Sequence, residues 1–99
     1  MNQMQQMLMQ AQRMQRELEK ARAALAEQEF SVSKGGMVEL VMKGDRTISS
    51  LSIDPDALDP ENKEMLEDTI SMALNEALEQ IQEASDAIEE KVTGKKGLF

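Results

Sequence analysis

Apolar side chains recur at Met4, Met7, Ala11, Met14, Leu18, Ala21 and Leu25, in alternating steps of three and four through three heptads. That spacing gathers them on one stripe of an α-helix, the seam of a coiled coil. No Pro or Gly precedes Gly35, and the Gln, Met, Ala, Glu, Arg and Leu residues between favour helix. One continuous helix is therefore predicted from about residue 2 to about residue 28, roughly 40 Å long at 1.5 Å per residue.

The period then changes. Phe30 and Val32 alternate with Ser31 and Ser33, which predicts a strand over 30–34, and Gly35-Gly36 supplies the backbone freedom of a tight hairpin. A second strand follows over 37–43, with Val38, Leu40 and Met42 on one face and Glu39, Val41 and Lys43 on the other. Gly44-Asp45 marks the next reversal, before a third strand over 47–53. Two Asp-Pro pairs punctuate the linker from Asp54 to Pro60, and Asp59 with Pro60 reads as the N-cap and first residue of a second helix over 60–92. Its seam runs through Ile70, Leu74, Ala77, Ile81, Ala84 and Ile88, widened near the sheet by Met65, Leu66 and Ala73. Glu61, Glu64, Glu67 and Asp68 suit its positive end, Lys91 its negative end, and Gly94 is the expected C-cap ahead of a basic tail over 93–99.

These lengths decide the architecture. The pattern is α+β, one domain of 99 residues built as α-β-β-β-α with a three-stranded antiparallel sheet. A compact chain of this size has a radius of gyration near ~13 Å, too small to enclose helices of roughly 40 and 50 Å, so both helices must project beyond the sheet. Their seams zip together within the chain, against a second chain, or both. The core is thin as well: Phe30 and Phe99 are its only aromatic residues, and nine Met replace rigid anchors. A homodimer is the expected remedy.

The absence of Cys and His removes disulfides, thiolate nucleophiles, imidazole bases and the usual zinc sites, so no enzyme, cofactor, metal or small-molecule substrate is expected. Asp54, Asp56 and Asp59 do not make an EF-hand, because Asp59 occupies the glycine position and Met65 the position of the bidentate Glu. No stretch approaches the roughly 20 apolar residues of a membrane span, and MNQMQQMLMQ has neither the basic start nor the apolar run of an export leader. A soluble cytoplasmic protein with no membrane contact is expected.

Charge adds a direction. The net charge is −8, yet residues 1–22 carry four basic and two acidic side chains, whereas residues 54–90 carry thirteen acidic and one basic. Arg13, Arg16 and Lys20 fall at heptad positions c, f and c, away from the seam, as one basic stripe about 10 Å long set among glutamines. Lys91, Lys95 and Lys96 form a second basic group at the end of the other helix. A stripe of this kind meets a phosphate backbone, or is simply a solvated helix face with pairs such as Arg13 to Glu17.

The Gln/Met-rich opening helix, the double hairpin around GGMVELVMKGD, and the linked Ile-Asp-Pro, Glu-Met-Leu-Glu-Asp and Ala-Leu-Asn-Glu-Ala elements between Ile53 and Leu78 resemble the YbaB/EbfC family of nucleoid-associated proteins. The resemblance implies a protomer that dimerises through its sheet, with the helices projecting as the arms of a tweezer. It further implies a bacterial, nucleoid-located protein that binds duplex DNA with limited sequence preference, alters its conformation and influences gene expression. The helix arms would hold the DNA, which points to Arg13, Arg16, Lys20 and Arg22 together with Lys91, Lys95 and Lys96. The alternative is a helical adaptor whose acidic face and Met-rich seam bind another protein.

Overall fold

The computed structural model describes residues 2–94. Helix α1 (Gln3–Glu27) leads into an antiparallel sheet of β1 (Glu29–Lys34), β2 (Val38–Lys43) and β3 (Ile48–Ile53), ordered as in the chain. Two 3₁₀ turns, Pro55–Ala57 and Pro60–Asn62, then lead into α2 (Lys63–Thr93). The architecture is α-β-β-β-α, as the periodicity predicts.

Local chemistry sets the boundaries. Asn2 caps α1 by accepting from the Gln5 N–H at 2.8 Å. The second helix begins one turn later than predicted. Asp59 does act as a cap, accepting from the Glu61 N–H at 3.0 Å, but the turn it caps is 3₁₀, closed by the Asn62 N–H on the Asp59 carbonyl. Asn62, at φ −94° and ψ 6°, lies off the α basin, so the α-helical ladder starts only at Lys63. At the other end Gly94 adopts the left-handed conformation, φ 78°, and its N–H donates to the Glu90 carbonyl.

Alternation along the strands places the core. Val38, Leu40 and Met42 of β2 and Val32 of β1 bury one face of the sheet against Ala73, Ala77 and Ile81 of α2. The two alanines let the helix backbone come close to the sheet, and Leu40 and Ile81 are wholly enclosed. Cross-strand pairing puts Leu51 opposite Leu40 and Ile48 opposite Met42, with a register shift between Val41 and Met42. Both therefore share the helix-facing side, yet α2 lies over β1 and β2 and leaves Ile48 50% and Leu51 46% exposed. The opposite face carries Ser31, Ser33, Glu39, Ser50 and Ser52, all exposed.

The hairpins tie the layers together. Gly35 and Gly36 both have positive φ, 60° and 68°, as the first reversal requires. At the second, the Gly44 N–H donates to the Gln28 carbonyl at 2.9 Å, and a Cβ on Gly44 would stand 1.8 Å from the Leu25 carbonyl oxygen. This close approach fastens the end of α1 to the β2–β3 turn. Gly44→Ala is expected to destabilise the protein by about 2 kcal/mol, read as a lower denaturant midpoint with an unchanged slope. In the same turn the Asp45 carboxylate accepts from the Thr47 hydroxyl and N–H, which hold its carboxyl below the ordinary carboxylate range.

Past the sheet the two helices run antiparallel. Leu18 and Leu25 of the α1 seam are buried and Arg22 reaches Glu89 of α2, but Met4 and Met7, on the same seam, are 74% and 65% exposed. The seams zip only over the C-terminal half of α1. The molecule measures 71 × 20 × 14 Å with a radius of gyration of 19.4 Å. That radius is well above the ~13 Å of a compact domain of this length and accords with projecting helices.

Candidate nucleic-acid interface

Helical spacing builds the basic stripe. The α1 seam turns toward α2, so positions c and f of each heptad face outward, and Arg13, Arg16 and Lys20 are exposed there, spread along about 10 Å of helix. None of the three pairs with an acidic side chain among the described residues, and the Arg13 to Glu17 pair does not form. Exposed Gln6, Gln10, Gln12 and Gln15 border the stripe with neutral donors that suit phosphate oxygens.

The other expected cations stand apart from it. Arg22, at position e, flanks the seam and donates through Nη2 to Glu89 Oε1 at 2.8 Å, so its charge is engaged between the helices. Lys91 is exposed in the last turn of α2. Lys95 and Lys96 lie outside the described residues.

Arg46 joins these cations, although its place in a tight turn has no helical spacing to flag it. It takes a left-handed conformation, φ 68°, and its guanidinium donates to the neutral Gln82 Oε1 at 3.0 Å. Gln82 in turn donates to Asp86. The remaining described lysines are paired: Lys34 with Glu76, Lys43 with Glu27 and Lys63 with Glu67. The charge pattern is thus divided by element. The outward face of α1 carries unpaired cations, while Glu64, Glu67, Asp68, Glu79, Glu83 and Glu90 are exposed along α2.

No helix among the described residues is long and apolar enough to cross a membrane. The hollows beside the stripe, one lined by Gln12, Gln15, Arg16 and Glu19 and one by Gln6, Met9, Gln10 and Arg13, are open to solvent, which suits contact with an extended partner more than enclosure of a small molecule.

Comparison with known proteins shows the family of the chain. The chain is similar to a nucleoid-associated protein of Enterococcus faecalis, 42% identical over 94 residues that cover 94% of this chain and 90% of that protein. A nucleoid-associated protein of Mycoplasmopsis pulmonis is 40% identical over 90 residues, covering 91% and 89%. Another from Lachnospira eligens is 47% identical over 76 residues, covering 76% of this chain and 66% of that protein. The family model described as the YbaB/EbfC DNA-binding family matches residues 1–96. An α-β-β-β-α chain with a basic outer helix, matched over nearly its whole length, belongs to the YbaB/EbfC DNA-binding family.

Proposed function

We propose that the protein is a nucleoid-associated protein of the bacterial cytoplasm that binds duplex DNA as a homodimer, with limited sequence preference, and alters DNA conformation and gene expression. The observation that carries this reading is the exposed row of Arg13, Arg16 and Lys20, unpaired among the described residues, on a projecting helix of a chain whose net charge is −8. Local potential, not total charge, governs approach to DNA, and three cations along about 10 Å match the spacing of a phosphate backbone. Arg and Lys set among glutamines, with no described wedge or reading loop beside them, favour backbone contacts over base edges. Lys91 and Arg22 are assigned supporting roles on the same arms, and Lys95 and Lys96, which lie outside the described residues, are assigned supporting roles from the sequence alone.

The half-exposed Ile48 and Leu51 supply the reason for a dimer. They continue the buried face of the sheet on an edge strand that α2 does not cover, and a second copy laid there completes the core. Two stripes then face one duplex, which permits bending or bridging.

The test is binding of purified protein to unrelated duplexes across a salt series. Similar affinities for each sequence and a straight fall of log K with log salt, about 0.9 per neutralised phosphate, are expected. Absence of DNA binding at low salt overturns the reading and favours the adaptor.

A further inference from the structure

We propose that the N-terminal four turns of α1 form a homotypic docking surface, whose occupant is the same stretch of a second copy of this chain packed antiparallel to it. The contact between Arg22 and Glu89 sets the register of the two helices within the chain. Equal rise per residue then brings Gly94, five residues past Glu89, level with about Glu17 of α1. The seam does not stop there. Met4, Met7 and Ala11 continue the two seam positions held further along by Leu18, Ala21 and Leu25, and Leu8 widens the stripe; Met4, Met7, Leu8 and Ala11 are all exposed. An apolar groove of Met4, Met7, Leu8 and Ala11 is thus the direct extension of the packed α1–α2 seam.

Three features favour a second copy as its partner. First, residues 1–12 contain no charged side chain. A chain of net charge −8 carries a general repulsion between copies to which this uncharged stretch adds nothing, and a phosphate backbone finds no cationic side chain on it. The flanking positions are Gln3, Gln10, Leu8 and Gln15, which neither repel one another nor select a charged partner.

Second, the seam is self-complementary in one direction. In an antiparallel pair centred on Met9, Met4 meets Met14 and Met7 meets Ala11, so position a faces position d in every layer and each alanine is filled by a methionine. A parallel pair sets Ala11 against Ala11, leaving a void, and holds both sets of Arg13 and Arg16 at the same level. The antiparallel pair separates those cations, opposes the helix dipoles favourably and leaves the outward stripe uncovered.

Third, the tip and the β3 face are separate surfaces. Met4 lies 21 residues along the helix from Leu25, about 30 Å from the sheet. With only Met4, Met7, Leu8, Ala11 and Met14 on each side, the tip contact would fall short of the roughly 800 Å² per partner of a stable interface, so it is weak alone and gains when copies are already joined or held close. Two isologous surfaces on one chain link copies into tetramers or open rows. The tip contact does not depend on the DNA reading, and where that reading holds it joins neighbouring bound dimers.

Sedimentation velocity from about 1 μM to about 1 mM tests it, comparing the parent chain with Met4→Glu/Met7→Glu. The parent mass is expected to rise with concentration from twice toward four times the 11.1 kDa chain, and the variant to stay at the lower plateau with equal helix content. In a Leu51→Glu background the mass should still rise, from one copy toward two, which separates this contact from the sheet contact. The chain has no Cys, so introduced thiols report register directly. Mixed Met7→Cys and Ala11→Cys proteins should form the mixed disulfide, with neither variant forming one alone. A mass independent of concentration, an unchanged curve in the Glu variant, or a Met7→Cys disulfide formed alone overturns the proposal, whatever else covers the seam.

Discussion

Changing Arg13, Arg16 and Lys20 together to Gln is expected to weaken binding to unrelated duplexes by at least about a hundredfold at 0.1 M salt. The three side chains are exposed and unpaired among the described residues, and Gln keeps helix propensity, so circular dichroism and melting should barely change. The loss should be similar for every sequence, because phosphate contacts carry no base information. Each lost contact also flattens the log-log salt slope by up to ~0.9, counted once for every participating arm. Arg22→Gln serves as a contrast. Its guanidinium is engaged with Glu89, so this change should alter helix packing before it alters the salt slope. Unchanged affinity in the triple variant would move the DNA surface away from the outer face of α1.

Periodicity made most of this fold legible. The heptad steps from Met4 to Leu25 and the dyad steps through Val38, Leu40 and Met42 each match one element whose ends fall within one or two residues of expectation. The start of α2 did not follow, because Asp59 and Pro60 signal a capped turn without specifying whether that turn is α or 3₁₀. The extent of zipping was equally hidden. Met4 and Leu18 occupy equivalent seam positions, and only the point where α2 ends separates an exposed residue from a buried one. At the candidate site, outward c and f positions revealed Arg13, Arg16 and Lys20. Pairing across the helices is a tertiary fact, so the sequence could not distinguish Arg22, held by Glu89, from neighbours that are unpaired among the described residues, nor raise Arg46 from a turn residue to an exposed cation beside a neutral amide.

The second large effect concerns the face of β3. Leu51 sits opposite buried Leu40 but is 46% exposed, so Leu51→Glu removes little packing within the protomer and sets a carboxylate where a second copy would lie. Light scattering at micromolar concentration is expected to give about twice the 11.1 kDa chain mass for the parent and a single chain mass for the variant. In the proposed dimer, two arms joined at the sheet would hold one duplex with a high effective concentration, so splitting them should lower DNA affinity by about a hundredfold and halve the salt slope. Leu51→Ala separates charge from packing: it keeps an apolar surface and should only shift the dimer toward dissociation at low concentration. The arms themselves should remain intact, because the α1–α2 seam around Leu18 and Leu25 lies on other residues. A Leu51→Glu protein that keeps the dimer mass would place the dimer contact elsewhere than β3. One that loses the mass but keeps full DNA affinity would mean that a single arm suffices for binding.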